Sequence, residues 1–141
     1  MNYLNKKIVI VGLGYVGLPL AVNLANKFDV IGFDVSNKRI KELKSFKDST
    51  KEVSTKKLKN SKRLVLTSEI RQIKNLYIYI ITVPTPVNKN NLPDLSILKK
   101  ACKTIGSVMG KDALIIFEST VYPGVTEKVC AKILAKESGY E

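Results

Sequence analysis

The hexapeptide Gly12-Leu13-Gly14-Tyr15-Val16-Gly17 directly follows the apolar run Ile8-Val9-Ile10-Val11 and opens a stretch, residues 16–27, that reads as a helix. A short β-branched run of this kind is a buried strand, apolar on both faces as in parallel sheets. A strand that runs through a glycine turn straight into a helix needs a crossover to a parallel neighbour. Pro19 belongs in the first turns of that helix, because deeper in it would break the hydrogen-bond ladder.

The same unit repeats along the chain. Residues 30–33 form a second buried strand that ends at Asp34, and Ser36 or Asn37 then caps a helix carrying Ile40 and Leu43. Residues 46–62 are polar and irregular, with one helical turn near Lys57. Leu64-Val65-Leu66-Thr67 predicts a third strand, and Ile70 with Ile73 a brief helix. Residues 77–83 are the strongest strand signal and stop at Pro84-Thr85-Pro86, where prolines end pairing. After a loop over residues 88–93, Asp94 caps a helix with Leu95, Leu98, Ala101, Cys102, Ile105 and Val108 on one face. Residues 113–117 are a fifth strand, Pro123-Gly124 a turn, and Val125, Val129, Ile133 and Leu134 mark the last helix. Such alternation predicts an α/β fold of one domain, a doubly wound parallel sheet of the Rossmann type with strand order 3-2-1-4-5.

Composition removes several functions. The chain of 141 residues contains no histidine, so it holds no Ser-His-Asp triad and no His-ligated metal. Two cysteines make neither a four-cysteine zinc site nor a disulfide scaffold, and no metal is expected. Cys102 and Cys130 both fall on helices, away from strand ends, and read as packing residues. The net charge is +12, and residues 38–74 hold thirteen basic residues against four acids. A nucleic-acid footprint is one reading of that stretch. Against it, 21 of the 24 basic residues are lysine and Phe46 is the only aromatic of the stretch before the fourth strand. Base-stacking surfaces interleave aromatics with arginine, so a solvated lysine face is expected and neither nucleic acid nor membrane is a predicted partner. Lys6-Lys7 and the apolar residues 8–20 imitate a signal peptide, yet the glycine spacing has a better explanation. A cytoplasmic protein with reduced thiols is expected.

That explanation is chemical. Gly12 permits a tight turn, Gly14 lets a diphosphate approach the backbone, and Gly17 lets helix and strand pack closely. The helix dipole and the amides of the first turn, including Tyr15 and Val16, then face the anion. Asp34, 22 residues after Gly12, can accept hydrogen bonds from the adenosine ribose and would repel a 2′-phosphate. NAD is therefore the predicted cofactor rather than NADP, although Lys38 and Arg39 stand close by. Ligands of open parallel sheets lie at the carboxyl ends of strands, where Thr82-Val83-Pro84-Thr85-Pro86 and Glu118-Ser119-Thr120 also fall. Their hydroxyls either bond a ribose or nicotinamide or cap turns. Tyr15 and Tyr122 either shape the cleft or pack.

Gly12 to Pro19, Asp34 with Arg39, Val83-Pro84-Thr85-Pro86, Pro93-Asp94-Leu95 and Glu118-Ser119-Thr120-Val121-Tyr122-Pro123-Gly124 occur in one order. Together they resemble the N-terminal NAD-binding domain of the UDP-glucose/GDP-mannose dehydrogenase family, in the branch that oxidises UDP-N-acetylhexosamines for surface polysaccharides. The resemblance implies oxidation of a nucleotide sugar at the C6 hydroxyl to a uronate with two NAD, through a cysteine thiohemiacetal and thioester. It implies that Gly12, Gly14 and Gly17 hold the pyrophosphate and that Asp34 and Arg39 hold the adenosine end. It also implies that Thr85 and Thr120 line the cleft, with Thr120 facing the reacting centre. The nucleophilic cysteine and the UDP-sugar domain of that family follow this region, and neither Cys102 nor Cys130 matches its motif. Residues 1–141 are thus expected to be the cofactor domain of a larger, homodimeric enzyme, inactive and monomeric alone. The alternatives are the cofactor domain of a 6-phosphogluconate or 3-hydroxyacyl-CoA type dehydrogenase, or a basic nucleic-acid-binding module.

Overall fold

The computed structural model describes residues 6–140. Five parallel strands, β1 (Ile8–Val11), β2 (Val30–Phe33), β3 (Leu64–Thr67), β4 (Ile78–Ile81) and β5 (Leu114–Phe117), form one sheet in the order β3-β2-β1-β4-β5. The order agrees with the sequence expectation. The first crossovers step outward from β1 to β3, and the later ones step the other way to β5. Crossovers between parallel strands are as a rule right-handed, so reversing direction moves the helices to the opposite face.

Helices α1 (Gly17–Leu24), α2 (Asn37–Lys44) and α3 (Thr55–Asn60) contribute to one core, with Ile8, Ile10, Val30, Ile78 and Ile80 from the sheet. Helices α4 (Ser96–Gly106) and α5 (Ala131–Ser138) build the other, with Val9, Val11, Ile31, Phe33, Tyr79 and Ile81. Neighbouring strand residues thus alternate between the two cores, as pleating demands. β1, β2 and β4 are buried along their whole length, whereas the edge strands β3 and β5 are only partly covered.

Helix starts follow local chemistry. The Ser36 hydroxyl accepts from Arg39 N at 3.2 Å to cap α2, and the Ser54 hydroxyl accepts from Lys57 N at 3.3 Å to cap α3. Asp94 Oδ1 accepts from Ser96 N at 2.9 Å, one residue ahead of the formal cap position Leu95. The last helix departs from the expected period. It enters through a π turn, Thr126–Cys130. The inserted residue brings Cys130 rather than Val129 into the core, so Val125, Cys130 and Leu134 are buried and Val129 and Ile133 only partly so.

Register positions the site. Val11 pairs with Phe33 and with Ile81, and Ile81 with Phe117, so the strand ends lie flush. Pairing continues one residue further: Gly12 N donates to Phe33 O at 2.8 Å, Thr82 N to Val11 O at 2.9 Å and Glu118 N to Ile81 O at 2.9 Å. Gly12, Asp34, Thr82 and Glu118 therefore stand in one row at the carboxyl edge of the sheet.

Candidate functional site

A cleft of about 920 Å³ opens at that edge, between the β1 and β2 ends, the β4 end and one face of α4. Its size suits a cofactor-sized ligand. The chain diverges here in opposite directions from β1 and β4, the switch point at which such sheets bind ligands. Gly12, Gly14, Asp34, Arg39, Val83 and Pro84 line it, as do Ile97, Lys100, Lys103 and Thr104 of α4.

The three loop glycines differ in what surrounds them. Gly12 has φ +97°, and a Cβ there would press on Val83 Cγ1 at 3.1 Å. At Gly17 a Cβ would collide with Gly12 O and with the Thr82 hydroxyl. At Gly14 a Cβ would have no heavy atom within 4 Å. Gly12 and Gly17 are therefore required by the fold itself, and Gly14 leaves room above the loop. No side chain caps the α1 N-terminus; Leu18 N donates to Gly14 O at 3.2 Å and Pro19 has no N–H, so the amides ahead of Leu18 are the ones open to an anion.

Asp34 closes the loop onto β2. Its Oδ2 accepts from Leu13 N at 2.9 Å and its Oδ1 from Ser36 N at 2.9 Å. A carboxylate offers about four acceptor positions, which leaves capacity for ribose hydroxyls. Arg39 turns inward. Its Nε donates to Leu13 O at 2.9 Å, and its two terminal nitrogens reach Glu42 Oε1 at 3.0 Å and Asp48 Oδ1 at 2.8 Å. The Asp48 side chain is only 1% exposed. Burial works to raise its carboxyl, but hydrogen bonds from the Thr50 hydroxyl, the Val53 amide and Arg39 outweigh it and hold the group down at about 2. A hydrogen bond from the Ser49 amide likewise lowers the Glu42 carboxyl.

Thr82 was read only as part of the motif that closes the fourth strand, and its tie to the glycine turn was not foreseen. It is buried, and its hydroxyl lies 2.7 Å from Gly12 O and 3.1 Å from Val11 O, tying β4 to the glycine turn. The α4 wall was missed as well. Ile97, Lys100 and Thr104 recur at helical spacing beside the buried Leu98–Ala101–Cys102–Ile105 face, but nothing local says which exposed face looks into a cleft. Tyr15, Val16, Gly17, Thr85, Ser119 and Thr120 do not line the cavity wall. Tyr15, Val16 and Tyr122 stand exposed. The hydroxyls of Thr85 and Ser119 join two loops instead: Thr85 Oγ1 donates to Thr120 O at 2.5 Å, and Ser119 Oγ to Val83 O at 2.7 Å.

Cys102 and Cys130 are both fully buried, and burial pushes both thiols up, which keeps them protonated and unreactive. Among the described residues no cluster of three or more His, Cys, Asp or Glu forms a metal site, and no helix is long and apolar enough to cross a membrane. A second hollow of about 460 Å³ lies between α2, α3 and β3, lined by Leu43, Phe46 and Leu58 with Lys44, Lys59 and Lys62, and shares no strand-end residue with the cleft.

The comparisons agree with this geometry. Residues 6–141 match the model of the UDP-glucose/GDP-mannose dehydrogenase family, NAD binding domain. The protein CapL of Staphylococcus aureus is 51% identical over 96% of this chain and 32% of its own length. The UDP-N-acetyl-D-glucosamine 6-dehydrogenase of Salmonella typhi is 51% identical over 94% of this chain and 31% of its own. The structure of a UDP-D-ManNAc dehydrogenase from Pyrococcus horikoshii superposes with a TM-score of 0.87 at 37% identity, over 96% of this chain and 33% of that one. The chain thus spans about a third of the length of these relatives. With the glycine loop, the acid that ends β2 and the switch-point cleft all at one edge of the sheet, the chain belongs to the UDP-glucose/GDP-mannose dehydrogenase family, as its NAD-binding domain.

Proposed function

We propose that this chain binds NAD for a longer enzyme that oxidises the C6 hydroxyl of a UDP-N-acetylhexosamine to a uronate, consuming two NAD, in surface polysaccharide synthesis. The observation that carries the reading is the open space above Gly14, beside the uncapped α1 N-terminus and the Asp34 carboxylate. The names of the relatives from Salmonella typhi and Pyrococcus horikoshii support the sugar class.

Bound NAD supplies a hydride acceptor. The work of this chain is to hold it: Gly12, Gly14 and Gly17 with the Tyr15 and Val16 amides at the diphosphate, and Asp34 with Arg39 at the adenosine end. Val83 and Pro84 form the floor beside the switch point. Thr85, Ser119 and Thr120, joined across the β4 and β5 loops, face the nicotinamide side, and Thr120 stands at the reacting centre. The cysteine nucleophile and most of the sugar site belong to the remainder of the enzyme, a cytoplasmic homodimer.

Calorimetric titration tests the cofactor half of the reading. NAD should bind at least about tenfold more tightly than NADP, because Asp34 repels a 2′-phosphate. Equal affinities would remove Asp34 from the model. The full-length enzyme should form NADH with UDP-N-acetylhexosamines, and these 141 residues alone should form none.

A further inference from the structure

We infer that Asp48 is a positioning residue for the dinucleotide, acting through Arg39 and the Leu13 backbone on Gly14 and Asp34. The inference rests on the NAD reading above and extends it to a residue that touches no ligand.

The chain of contacts is continuous. Asp48 Oδ1 accepts from Arg39 at 2.8 Å, and Arg39 Nε donates to Leu13 O at 2.9 Å. The peptide that carries Leu13 O also carries the Gly14 N–H. In a planar trans peptide the two point in opposite directions. Arg39, by holding the carbonyl, therefore turns the Gly14 amide away from itself. The preceding peptide is fixed as well, since Leu13 N donates to Asp34 Oδ2 at 2.9 Å. One residue thus links the amide meant for the diphosphate to the carboxylate meant for the ribose, and both of its peptide planes are held by charged side chains.

Asp48 is itself over-determined. Its carboxylate accepts from Thr50 N at 3.0 Å, Thr50 Oγ1 at 2.7 Å, Glu52 N at 2.9 Å and Val53 N at 2.9 Å, besides Arg39. Lys51, inside that turn, sits at φ +57°. A polar segment that looks irregular in sequence is therefore a rigid bracket around one carboxylate. A lone arginine in front of the loop would sample many rotamers; one seated between Asp48 and Glu42 presents Nε in a fixed direction.

The test compares NAD and NADP affinities of the full-length protein and of Asp48→Asn, Thr50→Val, Asp34→Ala and the Asp48→Asn/Asp34→Ala double variant. Asp48→Asn should weaken NAD about tenfold and reduce the NAD-over-NADP preference at least about fivefold, because a loosened Asp34 no longer rejects the 2′-phosphate. Thr50→Val, which removes the bond from Thr50 Oγ1 to Asp48 and the long 3.5 Å bond that the same hydroxyl accepts from Arg39, should shift both quantities in the same direction by about threefold. In the Asp34→Ala background Asp48→Asn should leave the preference unchanged. A merely structural role would lower both affinities in proportion and keep their ratio. An unchanged ratio in Asp48→Asn, or in Thr50→Val should Asp48→Asn not fold, overturns the inference while wild-type NAD binding stands. A wild-type protein that takes up no NAD overturns the cofactor reading and this inference with it.

Discussion

The two walls of the cleft are made differently. The β1–β2 wall is backbone and short side chains, locked by Asp34 onto Leu13 N and by Arg39 onto Leu13 O. The α4 wall is a helix face whose cleft-lining side chains include Ile97, Lys100, Lys103 and Thr104. A locked wall suits the parts of a dinucleotide that never vary, the diphosphate and the ribose. A wall of long side chains suits a part that needs area and charge more than fixed direction. The difference predicts that substitutions on the first wall act as all or nothing and those on the second by degrees.

Gly14→Val is the sharpest way to break that contrast. A Cβ there has no heavy atom within 4 Å, so the fold should hold, while NAD affinity should fall at least about 100-fold as the diphosphate loses its approach. Retained affinity in calorimetry would contradict the assignment of the open space. Gly17→Ala should do the reverse and act on stability first. Its methyl would meet Gly12 O, a backbone atom that cannot step aside, at a cost of roughly 2–3 kcal/mol in urea unfolding.

The Asp48 bracket adds a pH signature to the locked wall. Its carboxyl lies at about 2 in the folded chain against 3.8 for the ordinary group. A depressed folded value stabilises above the unfolded value and is lost as pH falls through the folded one. The contribution, about 2 kcal/mol, should therefore be complete above pH ~4 and vanish towards pH ~2. Urea midpoints of wild type and Asp48→Asn should converge across that interval; parallel curves would show that the bracket carries no such energy. The smallest effect belongs to α4. Lys100→Ala with Lys103→Ala should weaken NAD only about two- to fivefold, with the difference shrinking as salt rises, because exposed charges are screened. A loss as large as that of Gly14→Val would erase the distinction between the walls.

How much of this was legible before the structure follows from the range of each signal. The strands were readable because β1, β2 and β4 are buried on both faces and so carry unbroken apolar runs. The glycine turn was readable because its requirements fall within six consecutive residues. The inward turn of Arg39 was not, since its partners Leu13 and Asp48 lie 26 and nine residues away. Nor was the π turn before α5, where Val125 and Val129 fit an ordinary helix until packing selects Cys130. The lysines of residues 38–74 were visible as charge, but their stretch also contains Asp48, whose importance no count of charges reveals.

By itself the amino-acid order determined the alternation of strands and helices, the glycine turn and the acid that ends β2. Each is a local requirement of burial or backbone geometry, met by residues within one element of each other. Only the tertiary structure decided which exposed helix face became a cleft wall, which way Arg39 turned, and which threonine hydroxyl reached the glycine turn. Those outcomes depend on sheet register and crossover handedness, which bring together residues that exert no influence on one another along the chain.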